Sequence, residues 1–215
     1  MSSTRSESMT GTVKVSFPEY RQPPAEPVQL LRAWLADAAR NEVREPRALA
    51  LATADGAGRP STRIVVINQV TDTGFVFITH EGSRKGRELA ANPWASGLLY
   101  WRETSQQIVV DGPVVKLSDA AAEAMWHARP VFTHAMTTAS RQSEPADGLD
   151  EIEALRKRVL ELGEGGRPLP RPEGFAGYEL RFDSVEFWAN GTDRLHERLR
   201  YDRDGEGWRV GRLQP

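Results

Sequence analysis

A hydroxyl and two adjacent cations stand at the start of a predicted helix, in the stretch THEGSRKGRELAANP over 79–93. Ser83, Arg84 and Lys85 follow an apolar strand and a glycine turn. Cations are unfavourable at a helix N-terminus, whose amides already carry partial positive charge, unless an anion binds there. These side chains and the free amides would together hold a phosphate. A solvated basic turn is the alternative, and the absent GxxxxGK[ST] spacing argues against a nucleoside triphosphate.

Arg63 is a second candidate anion ligand, because it stands directly before the apolar run IVVI. On a strand it shares a face with Val65 and Ile67, and a buried arginine there needs a partner. That partner is either a ligand phosphate or an acidic side chain. Gln107 and Gln142 could bond the carbonyls and ring nitrogens of a heterocycle, although surface positions are the simpler interpretation of each.

The segment EFWANGTDRLHER, over 186–198, carries two arginines, a histidine and a tryptophan. Arg194, His196 and Arg198 alternate with other residues, so a strand would point all three to one face. They would repel one another there unless an anion or acidic side chains faced them. Trp188 could stack on a flat ring or simply belong to the core. The histidines show no metal-binding spacing such as HExxH, so we predict no metal site.

The composition excludes several classes of protein. The chain has 215 residues, of which 27% are charged and 39% hydrophobic, an ordinary globular mixture. Its net charge of −2 argues against a nucleic-acid-binding surface, and the absence of cysteine excludes disulfides and thiolate chemistry. No apolar run reaches about 18 residues, so no membrane span is expected. The polar start MSSTRSESMT is unlike a signal peptide, and we expect a cytoplasmic protein.

Hydrophobic periodicity predicts a mainly β domain with peripheral helices, of the α+β class. Residues 1–27 are polar and then proline-rich, so we expect a flexible N-terminal arm before a single domain over 28–215. The predicted helices cover 28–43, 83–92, 118–129 and 148–163. The predicted strands cover 48–54, 61–70, 74–80, 95–103, 106–117, 178–191, 194–204 and 207–215. Clustered strands with helices at the edges favour a closed antiparallel barrel over a doubly wound sheet.

An ordered set of segments across 28–215 resembles the pyridoxamine 5′-phosphate oxidase family. The segments are RIVVI, GFVFITHEGSRKGREL, NPWASGLLYW, QQIVVDG, WHARP, SRQS, PRPEGFAGYEL, VEFW and RLHERLRY. A closer resemblance, to the flavin oxidases of phenazine biosynthesis, rests on SGLLYWRETSQQI, the run from His134 to Ser143, FPEY and the C-terminal RLRY and RLQP. The resemblance implies an FMN-binding split β-barrel that forms a homodimer, with two FMN molecules in clefts between the subunits.

The resemblance also implies a set of FMN contacts. The residues that would hold the phosphate and ribityl chain are Arg63, Ser83, Arg84 and Lys85. Gln107 would lie beside the isoalloxazine ring, and Gln142 and Ser143 resemble a pair donated by the other subunit. The remaining implied contacts are Ile64, Val65, Val66, Ile78, Thr79, Trp188 and Arg198.

Departures from the family pattern indicate the substrate. The family binds pyridoxine phosphate through Lys, Tyr, Arg and Ser, and at the matching positions this chain has Asn68, Met125, Arg129 and Thr133. One cation and one phenol hydroxyl are missing, which weakens a phosphate pocket. A flat aromatic substrate with carboxylates fits the remaining groups better, because arginine pairs well with carboxylate.

The function implied by the resemblance is an FMN-dependent oxidase that aromatises reduced phenazine carboxylic acid precursors, with reoxidation by O2 giving H2O2. Arg194 would orient a substrate carboxylate, and His196 would hydrogen-bond the substrate or relay a proton. The alternatives are a pyridoxamine or pyridoxine 5′-phosphate oxidase and a non-catalytic flavin-binding split barrel. The missing cation and phenol argue against the first, and the retained RLH segment argues against the second.

Overall fold

Ten antiparallel strands and five α-helices make up the computed structural model over the residues it describes, 11–191 and 195–215. The strands curl into a split barrel, so the predicted α+β barrel class is confirmed. The helices are α1 (Pro27–Arg40), α2 (Arg84–Ala91), α3 (Asp119–Ala128), α4 (His134–Ala139) and α5 (Gly148–Gly163). The strands are β1 (Ala48–Ala54), β2 (Pro60–Val66), β3 (Gln69–Val70), β4 (Gly74–His80), β5 (Trp94–Trp101), β6 (Gln106–Lys116), β7 (Phe175–Arg181), β8 (Ser184–Ala189), β9 (Glu197–Asp204) and β10 (Gly207–Arg212).

Strand β6 joins the two parts of the sheet. Its residues 106–111 pair with both β5 and β8, whereas 114–116 pair with β7. β7 in turn pairs with β4 along its whole length. The N–H of Asn68, just after β2, donates to the carbonyl of Val76 on β4 at 2.8 Å. This bond brings the β2 edge of the sheet beside β4, so that β2, β1, β5, β6, β7 and β4 surround the core.

Gly112 permits the exchange of partners along β6. It lies between Asp111, which pairs with β8, and Val114, the first residue that pairs with β7. A Cβ at Gly112 would lie 1.9 Å from the carbonyl oxygen of Arg181. Only glycine, which has no Cβ, allows the two backbones to approach so closely.

The core lies between the inner face of the barrel and helix α1. Leu49 and Leu51 of β1 and Ile108 of β6 are fully buried on that face. Trp34 of α1 packs its ring edge-on against Phe187 of β8, with the centroids 5.1 Å apart. Helix α1 buries an apolar stripe at helical spacing, made up of Leu31, Trp34, Leu35 and Ala38.

Two predicted strands are interrupted in the structure. The strand predicted over 178–191 divides into β7 and β8, because the N–H of Asp183 turns to bond the carbonyl of Asp111 at 2.8 Å. The strand predicted over 61–70 breaks after Val66, where the N–H of Ile67 bonds the carbonyl of Arg47 at 3.0 Å. Neither break contains a glycine or a proline, and hydrogen bonds to distant segments mark both of them.

Helix α4 lies in a segment for which the sequence predicts no helix. Its first residue, His134, stacks on Trp126 of α3 with the ring centroids 4.0 Å apart. The Nδ1 of His134 accepts a hydrogen bond from the N–H of Leu169 at 3.3 Å. Six residues are too few to show a helical period, and these tertiary contacts stabilise the helix instead.

Part of the predicted N-terminal arm is anchored to the barrel. Phe17 is buried, with its ring centroid 4.8 Å from that of Trp34. The hydroxyl of Tyr201 donates to the carbonyl of Pro24 at 3.1 Å, and Arg212 donates to the carbonyl of Tyr20 at 2.8 Å. The segment over 17–24 therefore contributes to the core ahead of α1.

We predict that replacing Phe17 by Ala destabilises the folded chain by about 3 kcal/mol, because the change removes a buried ring and leaves a cavity. The free energy of unfolding in urea measures this loss. Phe132→Ala is the matched control, since Phe132 is 83% exposed and its loss should change the stability little. Equal stabilities for the Phe17 variant and the unmodified protein would show that the segment does not pack in solution.

Candidate functional site

Helix α2 begins at the predicted phosphate cradle. Ser83 is its N-cap: the hydroxyl accepts a hydrogen bond from the N–H of Gly86, and the side chain is fully buried. Such a cap satisfies one of the amides that a helix start leaves unpaired. The hydroxyl of Ser83 also lies 3.2 Å from that of Thr79, near the end of β4. Ser83 thus fixes the start of the helix that carries the two cations.

Lys85 is the buried cation of the cradle. It is 6% exposed, and its Nζ donates to Thr79 Oγ1 at 2.9 Å and to Gln142 Oε1 at 3.3 Å. Burial, with a smaller contribution from the charge of Arg63, lowers the pKa of Lys85. Within the described residues no carboxylate forms an ion pair with it. An ammonium group held in this way is suited to bind an anion.

Arg63 and Arg84 both pair with Glu88 of α2. The Nη2 of Arg63 lies 3.2 Å from Glu88 Oε2, and the Nε of Arg84 lies 2.9 Å from Glu88 Oε1. The same carboxylate accepts hydrogen bonds from the hydroxyls of Thr53, at 2.5 Å, and Ser61, at 2.6 Å. The sequence left two partners open for Arg63, a ligand phosphate or an acidic side chain. The structure pairs it with the acidic side chain of Glu88.

Hydrogen bonds determine the charge of Glu88. Burial alone would raise the pKa of this carboxyl, but the bonds from Ser61, Thr53, Arg84 and Arg63 outweigh burial and lower the pKa to about 2. Glu88 is consequently ionised at neutral pH. It balances part of the positive charge that would otherwise accumulate at the start of the helix.

A cavity of about 330 Å³ lies beside Lys85. Arg129, which follows α3, donates to the hydroxyls of Thr133 and Thr137 at 3.2 Å each. Burial lowers the pKa of Arg129, and no described carboxylate forms an ion pair with it. The cavity is lined by Ile64, Val65, Val66, Asn68, Ile78, Thr79, Lys85, Arg129, Pro130, Thr133 and Gln142. It combines apolar walls with two cations that lack an acidic partner, which suits an anionic ligand with an apolar body.

A larger hollow of about 830 Å³ adjoins this cavity on the outer side of β2. The two share Ile64, Val66 and Asn68, and the other walls of the hollow come largely from α1. One of its arginines, Arg32, is already paired with Asp72 at 2.7 Å. The buried Lys85 and the partly buried Arg129 both line the smaller cavity, and we place the ligand chemistry there.

A second set of predicted contacts forms a row across three other strands. Gln107 of β6 lies opposite Trp188 of β8, and Trp188 lies opposite Arg198 of β9. Side chains alternate between the faces of a strand, and the neighbours along the three strands are fully buried in the core: Ile108, Phe187 and Leu199. The row therefore faces away from the core.

The end of this row carries His196. Its ring lies 4.7 Å from that of Trp188, and its Nδ1 is buried without a hydrogen-bond partner among the described residues. The strand predicted to start at residue 194 starts at Glu197, so His196 lies just before it and not on its face. Arg194 lies outside the described residues. Of the three basic side chains predicted to share a strand face, Arg198 lies on β9 and His196 lies just before it, whereas the prediction for Arg194 is not covered by the described residues.

Two segments of the chain match known families. Residues 35–163 match the family described as pyridoxamine 5′-phosphate oxidase, and 175–215 match the pyridoxine 5′-phosphate oxidase C-terminal dimerisation region. The chain belongs to the pyridoxamine 5′-phosphate oxidase family. The second set of predicted contacts, with Trp188, His196 and Arg198, lies mostly in the segment that matches the dimerisation region.

Relatives within the pyridoxamine 5′-phosphate oxidase family differ in their reactions. A dihydrophenazinedicarboxylate synthase of Pseudomonas chlororaphis is 60% identical over 210 residues, covering 98% of this chain and 93% of the relative. A pyridoxine/pyridoxamine 5′-phosphate oxidase of Rubrobacter xylanophilus is 43% identical over 190 residues, covering 88% and 87%. The crystal structure of PhzG from Burkholderia lata, in complex with tetrahydrophenazine-1-carboxylic acid, is 51% identical with a TM-score of 0.91, covering 95% of this chain and all of that one.

The structure brings three of the residues predicted to bind substrate into one cavity. Asn68, Arg129 and Thr133 line the cavity. Met125 is not part of that lining and faces β7, where its Sδ would lie 3.0 Å from a Cβ on Gly177.

None of the helices in the described ranges is long and apolar enough to cross a membrane.

Gln142 reaches the cavity from its own chain. Its Oε1 accepts from the hydroxyl of Thr79 at 3.0 Å and from Lys85. This placement corrects the expectation that Gln142 is donated by the other subunit. The next residue, Ser143, has a backbone φ of 70°, a left-handed conformation that is uncommon outside glycine.

Glu88, Thr53 and Ser61 belong to the site although the sequence singled out none of them. A signal for Glu88 existed, because residues four apart on a helix are neighbours and Glu88 follows Arg84 by four. Thr53 and Ser61 face each other only because β1 and β2 pair antiparallel, with these two residues directly opposite. Their part in the site could not be predicted without that register.

We predict that acid removes the stability that Glu88 provides. Its folded pKa of about 2 lies below the ordinary value of 4.5, so the carboxylate stabilises the folded chain above pH 4.5 and loses that effect as the pH falls towards 2. Glu88→Gln should lower the free energy of unfolding by about 2–3 kcal/mol at neutral pH. Urea unfolding should show this difference shrinking by more than half between about pH 5 and about pH 3. A difference that stays constant over that range would contradict the assigned pKa.

Proposed function

We propose that this protein is an FMN-dependent oxidase that aromatises reduced phenazine carboxylic acid precursors, with O2 as acceptor and H2O2 as product. The observation that carries the proposal is the cavity in which Lys85 and Arg129 lack acidic partners beside the apolar walls of Ile64, Val66 and Ile78. The 60% identity to a dihydrophenazinedicarboxylate synthase supports the substrate class. So does the tetrahydrophenazine-1-carboxylic acid in the structure of the Burkholderia lata relative.

The donor groups of the chain fit FMN. Arg63, Arg84 and Lys85 would hold the phosphate, because they bring three cations to a helix start. Gln107 and Trp188 would contact the flat ring through an amide and an aromatic face. When bound, the flavin supplies the redox chemistry, and the protein orients the reactants and tunes the site.

The side chains of this protein would bind and orient the substrate. Arg129 would pair with a substrate carboxylate, because it is a partly buried cation fixed by Thr133 and Thr137. His196 would hydrogen-bond the substrate or move a proton through Nδ1, which is buried and without a described partner. Arg194 is the second proposed carboxylate ligand. The apolar walls would exclude water from the reacting ring.

Two copies of the chain would share each flavin site. The first set of contacts lies on β2, β4 and α2, and the second lies on β6, β8 and β9. β2 and β8 are separated by β1, β5 and β6, a distance of about 19 Å along the curled sheet. The match of 175–215 to a dimerisation region supports a partner that supplies the second set.

A pyridoxine 5′-phosphate oxidase is the second candidate function. The 43% identity to such an enzyme supports it, and Arg129 and Thr133 would serve a phosphate as well as a carboxylate. Asn68 favours the phenazine substrate, because an uncharged side chain lines the cavity at the position where the resemblance implies a lysine. A non-catalytic flavin-binding barrel is the third candidate.

Anaerobic mixing tests the proposed reaction directly. The purified FMN-loaded protein is mixed with a reduced phenazine carboxylate, and the absorbance of oxidised flavin is followed. Rapid bleaching is expected, and admission of O2 should restore the absorbance with release of H2O2. Bleaching no faster than that of free FMN would exclude the proposal and leave the pyridoxine 5′-phosphate oxidase and the non-catalytic flavin protein as candidates.

We predict that replacing both Arg84 and Lys85 by Ala weakens FMN binding by at least about 100-fold, since two charged hydrogen bonds together contribute about 3–6 kcal/mol. Riboflavin, which lacks the phosphate, should bind the variant and the unmodified protein almost equally. Quenching of flavin fluorescence measures both affinities. Arg87→Ala is the control, because Arg87 lies on the same helix and donates to the carbonyl of Gly82. Equal losses for the two flavins would assign these cations another role.

We predict that the protein prefers a dihydrophenazine carboxylate to pyridoxine 5′-phosphate by at least about 100-fold in kcat/KM, because the lysine and tyrosine contacts to phosphate are absent. Asn68→Lys should recover part of the oxidation of pyridoxine 5′-phosphate and slow phenazine turnover, because Asn68 lines the cavity. Gln69→Lys is the control, since it adds the same charge next to Asn68 but outside the cavity lining. Efficient oxidation of pyridoxine 5′-phosphate by the unmodified protein would support the second candidate function.

A further inference from the structure

Glu88 is a buried carboxylate beside the cations of the proposed phosphate site, where its negative charge opposes the proposed ligand. It is 6% exposed and lies one helical turn after Arg84. A phosphate bound by the neighbouring cations would repel it. A carboxylate in this position therefore needs a function that outweighs the repulsion.

The contacts of Arg63 show what that function is. Its Nη1 donates to Thr53 Oγ1 at 2.5 Å and to the carbonyl of Leu51 at 3.3 Å. Its Nη2 donates to the hydroxyl of Ser61 and to Glu88. The hydroxyls of Thr53 and Ser61 in turn donate hydrogen bonds to Glu88. Both terminal nitrogens of Arg63 are thus fixed by one carboxylate, directly and through two hydroxyls.

The charges of the cradle also balance through Glu88. Arg63, Arg84 and Lys85 carry three positive charges, and the single negative charge of Glu88 leaves a net two. A phosphate monoester carries about −1.5 to −2 at neutral pH, so the residual charge matches that of the ligand. Without the carboxylate, Arg63 and Arg84 would repel each other and lose their common partner.

We propose that Glu88 is a positioning residue for the phosphate site, which fixes the guanidinium of Arg63 and restrains Arg84 until an anion binds. The inference rests on the proposed function, because it assumes that the phosphate of FMN occupies the cradle. Arg84 is the cation able to turn from Glu88 to a ligand, since its side chain is 61% exposed, whereas that of Arg63 is 20% exposed.

The test compares two buried glutamates in the same fold. Glu179 of β7 accepts hydrogen bonds from the hydroxyls of Thr71 and Thr73 and pairs with Arg181, but it lies outside the cavity. Glu88→Gln and Glu179→Gln therefore remove similar buried charges at different places. The dissociation constants of FMN and riboflavin are measured for both variants and the unmodified protein by fluorescence quenching.

We expect Glu88→Gln to weaken FMN binding by about tenfold and to leave riboflavin within about twofold, because the loss of orientation affects the phosphate. Glu179→Gln should change neither affinity. FMN binding by Glu88→Gln that is unchanged or tighter would show that charge repulsion outweighs positioning, and the inference would fail. Equal losses for FMN and riboflavin would overturn it as well, since they indicate general damage to the fold.

A second variant keeps the inference testable if Glu88→Gln does not fold. Thr53→Val with Ser61→Ala removes both hydroxyl links and retains the carboxylate, and it should lower the preference for FMN over riboflavin by several-fold. An unchanged preference would contradict the positioning role. If the unmodified protein itself shows no preference for FMN over riboflavin, the proposed function fails. If the unmodified protein prefers FMN to riboflavin and both variants keep that preference, the positioning role of Glu88 is wrong but the proposed function stands.

Discussion

One carboxylate ties together the parts of the molecule that form the candidate site. Glu88 of α2 bonds Thr53 of β1, Ser61 and Arg63 of β2 and Arg84 at the start of its own helix. This interaction sets the distance between the helix start and the sheet. Lys85, one residue after Arg84, is thereby directed to the other side, towards Thr79 and the cavity.

The barrel determines where the remaining groups can lie. β2 contributes Ile64 and Val66 to the outer surface, where they are 62% and 61% exposed. The row of Gln107, Trp188 and Arg198 lies on the outer surface too, on strands separated from β2 by β1 and β5. Each of these two parts of the sheet therefore exposes only some of the groups that the proposed FMN site requires. A second copy of the chain completes both sets in the function that we propose.

The sequence predicted the elements whose signals are local and missed those that depend on distant contacts. The strand over 48–54 and the helix of α5 at 148–163 have the predicted bounds, because alternation and helical spacing are visible in single segments. The division into β7 and β8 depends on a bond between Asp183 and Asp111, seventy-two residues apart. The same contrast between local and distant signals holds for the site. Lys85 and Arg129 are recognisable from the sequence, but the cavity that they share is not.

The geometry of Arg129 suits an anion that binds through two oxygens. Of its five N–H donors, one on Nε and one on Nη2 bond Thr133 and Thr137, which leaves three without a partner among the described residues. Trp126 and Phe175 lie 5.9 and 5.4 Å from its guanidinium carbon and restrict its movement. The remaining donors on Nη1 and Nη2 form a fork that matches two carboxylate oxygens. A phosphate also presents two oxygens to such a fork, so the choice between the two ligands depends on Asn68, which lines the cavity without a charge.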